Sequence, residues 1–161
     1  MIYAGYPCIG KTVLSKSDNK YVDLESSIFK GNKVSDYVEK KTDDWYVMYC
    51  NIADHFSNMG YMVFVSTHAD VRRCMNENGI EFTVIYPDKS LKDKWLEKLL
   101  TRYEISGSDK DKRAMDYVKE HYDETIDELS KEANRIVIKD MNYDLQGLID
   151  DFMNNKDSNA E

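Results

Sequence analysis

The chain has 161 residues and a formal net charge of -8, with 42% hydrophobic and 32% charged residues. A chain of this length buries enough surface for one substantial core, and this balance excludes both a disordered polypeptide and a membrane span. The acidic excess also argues against a duplex nucleic acid partner, whose phosphates it repels.

The longest apolar runs, such as residues 61–65, are strand-length and fall far short of the roughly 20 residues needed to cross a bilayer. No leader pattern precedes the first motif. Cys8, Cys50 and Cys74 form no CxxC pair and leave one thiol over in any disulfide scheme. A reducing, cytoplasmic setting with free thiols is expected.

In chain order, β-rich runs at residues 2–4, 21–24, 61–65, 82–86 and 135–138 predict five short strands. Helical patterns lie between them. One covers residues 11–17, and a long amphipathic one carries Trp45, Met48, Tyr49, Ile52, Phe56 and Met59 and ends at Gly60. A short helix at 71–78 closes on Gly79. The run 82–86 is hydrophobic throughout, as a strand covered on both faces would be.

Two successive helices follow, striped by Leu91, Trp95, Leu99 and Tyr103, then by Met115, Val118, Tyr122, Ile126 and Leu129, with a break at 105–109. A last strand and a helix carrying Leu145, Leu148, Ile149, Phe152 and Met153 complete the pattern. No linker or repeat divides residues 1–153, so one domain is expected, followed by a frayed tail at 154–161. Strands alternating with helices predict an α/β fold with a mainly parallel sheet, right-handed crossovers and helices on both faces.

Directly after the first strand stands Gly5-Tyr6-Pro7-Cys8-Ile9-Gly10-Lys11-Thr12, a full match to GxxxxGK[ST] in strand-loop-helix context. Gly5 and Gly10 allow backbone angles and close approach denied to other residues, so successive amides converge on one anion. The helix beginning at Lys11 and Thr12, with Val13 behind them, adds its positive end. Lys11 would reach the outer phosphates of a triphosphate, and the Thr12 hydroxyl is a ligand suited to Mg²⁺. Cys8 reads as a small filler; the alternative is a reactive thiol that bound ATP shields from alkylation.

The second strand ends Asp23-Leu24-Glu25, two acids on one side of an extended chain. In a parallel sheet the carboxyl ends of the strands face the ligand crevice. Asp23 is therefore a candidate for orienting an acceptor or holding Mg²⁺, and Glu25 for acceptor binding; a solvated turn is the competing reading. The third strand ends Ser66-Thr67-His68 without the acid common in ATPases, and no NKxD guanine motif is present. His68 and Arg72, one helical turn apart, are candidates for gripping an anionic acceptor group, although His68 reads equally as a cap. Arg73 reads as a surface charge. Residues 116–132 read as a solvated acidic face, and Trp45 and Trp95 as core.

The early phosphate loop, the VDLES strand end, a third strand ending in small polar residues and the late helical pair together resemble adenylate-kinase-type small-molecule kinases, a group that includes nucleoside monophosphate, shikimate and gluconate kinases. They also resemble small bacterial and phage kinase-like ATP-binding proteins. The resemblance implies a three-layer P-loop NTPase fold with strand order 2-3-1-4-5. It further implies a helical lid over about residues 90–132, with Arg102, Lys110, Lys112 and Arg113 as its cations and Arg102 and Arg113 as catalytic arginines. Residues 87–113 carry eight bases and six acids, in weak agreement; a solvated helix surface is the competing account. It places the nucleotide base near 139–144, where Asn142 and Tyr143 are candidates; an ordinary surface turn is the preferred reading of that segment. The expected activity is ATP- and Mg²⁺-dependent phosphotransfer to a small polar acceptor, most readily a nucleotide or nucleoside. A nucleotide-binding regulator or slow ATPase is the alternative, and a nucleic-acid-end kinase the third reading.

Overall fold

The computed structural model describes residues 1–30 and 44–158. Five strands, β1 (Ile2–Gly5), β2 (Tyr21–Asp23), β3 (Met62–Ser66), β4 (Phe82–Pro87) and β5 (Arg135–Ile138), form one sheet in the order β2-β3-β1-β4-β5. The pairings β2 to β3, β1 to β3 and β4 to β5 are parallel. Fold class and strand order thus agree with expectation. Both β1 and β4 are buried at every residue, which explains why they read as unbroken apolar runs rather than alternating ones.

The chain divides into two compact units, Met1–Gly5 with Lys11–Thr83, and Tyr6–Gly10 with Val84–Glu161. In the first unit, α1 (Lys11–Ser17), α2 (Ser26–Phe29), α3 (Trp45–Asn58) and α4 (Ala69–Glu77) accompany β1 to β3. Tyr21 stacks on Phe64 at 5.7 Å with planes 16° apart, and Tyr3 tilts against the same ring. The helix α3 turns Trp45, Tyr49, Cys50 and Ala53 inward, as three-and-four spacing requires. Gly60 and Gly79, with φ of 91° and 65°, end α3 and α4 in the left-handed conformation that glycine adopts without penalty. Cys50 and Cys74 are buried free thiols. Burial, with Cys74 beside it, pushes the Cys50 thiol up to about 12.

The second unit carries α5 (Lys92–Ser106), α6 (Asp109–Leu129) and α7 (Leu145–Ser158) with β4 and β5. Trp95, Leu99, Val118, Tyr122, Leu129 and Ile149 fill its core. Between α5 and α6, Gly107 takes φ 59° as a C-cap, and the Ser108 side chain accepts the Asp111 N–H as an N-cap. That pair of caps is the break expected at 105–109. Asp123 and Asp127 stand on the solvated face of α6, as expected, and pair there with Lys92 and Lys89. One departure from expectation follows from helix propagation. The helix α7 runs through Ser158, so residues 154–158 are helical where fraying was expected; 159–161 lie outside the described residues. Among the described residues, no helix is long and apolar enough to cross a membrane.

Candidate functional site

The loop segment Tyr6–Gly10 is held from behind by aromatic donors. Trp95, fully buried, donates its Nε1–H to the Pro7 carbonyl at 3.0 Å, and Tyr143 donates its hydroxyl to the Ile9 carbonyl at 2.9 Å. In a trans peptide the C=O and the following N–H point in opposite directions. Anchoring the Pro7 and Ile9 carbonyls on Trp95 and Tyr143 therefore turns the Cys8 and Gly10 amides to the other side. Two alternate N–H groups aimed one way are the beginning of an anion nest.

Left-handed angles at Cys8 (φ 70°) and Gly10 (φ 104°) produce this alternation. Gly5, expected to share that role, is instead the last residue of β1. A Cβ at Gly10 would meet only Leu145 Cδ2 at 3.9 Å, so the angle and not the space calls for glycine there. Cys8 bears the same angle without that freedom, at a cost of about 1–3 kcal/mol. Its side chain lies near the Arg102 guanidinium and helps to favour the charged form of that arginine.

Trp95 and Tyr143 stack with planes 18° apart, and the Lys98 ammonium lies 4.7 Å from one ring centroid and 4.9 Å from the other. Lys98 also donates to the Tyr143 hydroxyl at 2.9 Å, giving a chain of donors from Lys98 through Tyr143 to Ile9. Burial pushes the Lys98 pKa down and the Tyr143 pKa up. Sequence reasoning placed Tyr143 near a bound base; its hydroxyl is committed to the loop instead. Asn142 is exposed and its N–H caps an Asp140 turn. The Tyr6 side chain is core, edge-on to Trp95 and Tyr122.

Arg102, an expected lid cation, pairs with Asp111 at 2.6 Å. Partial burial opposes its charge, but Asp111 and the Cys8 side chain outweigh this and raise its pKa. Asp111 is 6% exposed; burial opposes its charge as well, and Ser106, Arg102 and Ser108 overcome it and hold its pKa low. Arg113 is exposed on α6, about 200° around the helix from Asp111, so the two arginines do not share one face. Lys110 and Lys112 are exposed on the same helix.

In the first unit, Lys11 Nζ donates to the Gly5 carbonyl at 2.8 Å, folding back toward the strand that precedes the loop. Thr12 Oγ1 donates to Asp23 Oδ2 at 2.6 Å, uniting the start of α1 with the end of β2. Val13 is 76% exposed on α1. Glu25 remains extended at φ -82° and ψ 108° and occupies the N-cap position of α2 without a side-chain cap bond. The charges of Asp23 and Glu25 both act on the Tyr49 phenol.

Tyr49 is the organiser that sequence reasoning missed. Its hydroxyl donates to the Leu24 carbonyl at 2.8 Å and accepts the Ser66 N–H at 2.9 Å, clamping the ends of β2 and β3 at a fixed spacing. Its place on the buried face of α3 was legible, but its hydroxyl bonds depend on long-range register.

His68 occupies the N-cap position of α4 without capping through its ring. Its Nδ1 lies 2.7 Å from Ser66 Oγ and its Nε2 is 2.5 Å from Lys30 Nζ. Desolvation first, and the Lys30 charge second, push His68 down to about 4, although part of the ring reaches solvent. Arg72 is buried and donates Nε to the Thr67 carbonyl at 3.1 Å, so it stiffens the start of α4. Arg73 is the surface charge expected, paired with Asp70 at 2.7 Å. The chain matches no protein-family model and no curated protein sequence.

Proposed function

We propose that this chain is a P-loop phosphotransferase that moves the γ-phosphoryl group of ATP to a small polar acceptor, most readily a nucleotide or nucleoside. The observation that carries the reading is the 2.6 Å contact between Thr12 and Asp23, which sets a hydroxyl and a carboxylate side by side at the end of the GxxxxGK[ST] segment. Both are hard oxygen donors, and among the described residues there is no cluster of three His, Cys, Asp or Glu that would form a full protein cage. Mg²⁺ suits such a sparse site, since it uses one or two protein ligands and takes the rest from phosphates and water. When bound, it would neutralise charge on the phosphate oxygens.

The remaining roles belong to the chain's own groups. The outward-turned amides of Cys8 and Gly10 receive phosphate oxygens, and Lys11, released from the Gly5 carbonyl, follows the outer phosphates. Asp23, with Glu25 beside it, orients the acceptor oxygen for in-line attack: a bond forms from that oxygen to the γ-phosphorus as the bridging bond to the β-phosphate breaks. Arg102, fixed by Asp111, supplies fixed positive charge near Cys8.

The test is incubation with ATP, Mg²⁺ and a panel of nucleosides, nucleotides and small metabolites, with separate detection of ADP and phosphorylated product. Product with wild type and none with a folded Lys11→Ala variant is the expected result. ATP loss without product would indicate a slow ATPase, and equal turnover by Lys11→Ala would overturn the assignment.

A further inference from the structure

Lys98 is a half-buried cation behind the loop segment Tyr6–Gly10. It stands one turn after Trp95 on α5, and its ammonium lies within cation–π range of both the Trp95 and Tyr143 rings, at 4.7 and 4.9 Å from their centroids. Among the described residues no carboxylate is paired with it; burial disfavours its charge, and only Cys8 acts the other way. Its hydrogen bond goes to the Tyr143 hydroxyl at 2.9 Å, which is bonded in turn to the Ile9 carbonyl at 2.9 Å. An ammonium has donors and no acceptor, so the phenol oxygen accepts from Lys98 and its one proton is left for Ile9. A neutral amine has a lone pair and can take that proton instead, which releases the Ile9 carbonyl. The charge on Lys98 therefore decides which way the phenol points.

We propose that Lys98 is a positioning residue for the nucleotide: as an ammonium it turns the Tyr143 proton onto the Ile9 carbonyl and so keeps the Gly10 amide aimed at a phosphate. This deepens the phosphotransferase reading and rests on its phosphate loop. Lys98 acts through Tyr143 and touches no phosphate itself, so its effect requires both its charge and the phenol. The titratable groups facing the ammonium are Tyr143 and Cys8, with the charged Arg102 one turn further along α5 beside Cys8. Burial holds the Lys98 pKa below its ordinary 10.5 and pushes the Tyr143 pKa up, so on raising the pH the ammonium loses its proton while the phenol keeps its own. The nucleotide affinity that Lys98 supplies is present below its pKa and is lost as pH rises through it.

The test is calorimetric titration with Mg²⁺ and a non-hydrolysable ATP analogue, for wild type, Lys98→Met, Lys98→Arg, Tyr143→Phe and the double variant Lys98→Met with Tyr143→Phe. At pH 7, Lys98→Met keeps an unbranched apolar stem over the rings and should bind about tenfold more weakly than wild type. Lys98→Met and Tyr143→Phe interrupt the same relay, so the double variant should bind like Tyr143→Phe alone. From pH 7 to about pH 10 the ratio of wild-type to Lys98→Met affinity should fall toward one, since the variant keeps every other titrating group. Lys98→Arg stays charged throughout and should show no such alkaline fall. Wild-type affinity in Lys98→Met, a ratio constant over that range, or the same alkaline fall in Lys98→Arg as in wild type would overturn the proposal while leaving the phosphate loop standing. So would an undiminished Lys98→Met loss in the Tyr143→Phe background, which would place the ammonium directly on the phosphate. Failure of wild type to bind the analogue at any pH would instead remove the phosphate-loop reading on which the proposal rests.

Discussion

Thr12 donates its hydroxyl to Asp23 Oδ2 across 2.6 Å, so the opening turn of α1 and the last residue of β2 hold each other. The bond is exposed, which limits its contribution to stability to about 1 kcal/mol or less. Its chemical weight is larger, because the carboxylate charge and the hydroxyl are both suited to one divalent ion. Asp23→Asn keeps an acceptor for Thr12 and removes the charge. The expected outcome is an unchanged melting temperature, unchanged nucleotide binding without Mg²⁺, and a Mg²⁺-dependent turnover lower by about 100-fold. Calorimetric titration with and without Mg²⁺ separates the effects, and full turnover by the variant would take Asp23 out of the site.

The aromatic brace behind the loop makes a second prediction. Tyr143→Phe keeps the ring stacked on Trp95 but removes the donor to the Ile9 carbonyl and the acceptor used by Lys98. If the brace sets the direction of the Gly10 amide, ATP affinity should fall about tenfold, or about 1.4 kcal/mol. Trp95→Phe should act the same way through Pro7, with a larger loss of stability from the buried volume removed. Retained affinity in a Tyr143→Phe variant that has lost some stability would show that the brace serves only the fold.

Why the fold was more legible than the site follows from particular residues. The buried runs of β1 and β4 and the inward stripe Trp95, Leu99 and Val118, Tyr122 are local periodicities, and their burial follows from them directly. The GxxxxGK[ST] segment was legible as a motif, because its spacing is itself a local pattern, and the left-handed angles at Cys8 and Gly10 lie within it. Tyr49, Trp95 and Tyr143 looked like ordinary core or turn residues, because apolar spacing says nothing about where a hydroxyl or an indole N–H will find a carbonyl. Lys30 was invisible: its partner His68 is 38 positions away, and only the fold brings them together. Arg102 and Arg113 were grouped by the resemblance to kinase lids, whereas α6 turns its acid Asp111 toward one and carries the other on a different side.

The buried tyrosines predict the alkaline limit of stability. Burial raises the pKa of Tyr6, Tyr49 and Tyr122 above the ordinary phenol value, so each keeps its proton in the folded chain at a pH where the unfolded chain releases it. With fewer protons on the unfolded state, stability falls as pH rises past about 10, at up to about 1.4 kcal/mol per pH unit for each tyrosine. Tyr49→Phe should remove one such contribution from the slope. At neutral pH the same variant should lose about 2 kcal/mol, because the Ser66 N–H and the Leu24 carbonyl lose their shared partner. Urea unfolding at pH 7 and pH 10.5 measures both effects, and parallel losses at the two pH values would contradict the assignment of the slope to the phenol.

The acid side tests His68. Its pKa is lowered from the ordinary 6.5 to about 4, by desolvation and then by Lys30 and, more weakly, Lys11, with Asp70 acting the other way. Between those values the unfolded chain binds a proton on this ring and the folded chain does not. Stability therefore rises with pH across that window and is lost as pH falls from about 6.5 toward 4; below 4 both states are protonated and this group adds no further slope. Partial exposure of the ring keeps the effect modest. The chain has three histidines, so His68→Gln is needed to assign the resonance that titrates low. Comparison with wild type should show a flatter stability profile between pH 4 and 6.5 in His68→Gln, and Lys30→Gln should move the His68 titration upward by removing the nearest cation. A His68 ring that titrates near 6.5 in the wild-type chain would mean that Lys30 does not hold it neutral, and that the Nε2 acceptor geometry does not persist in solution.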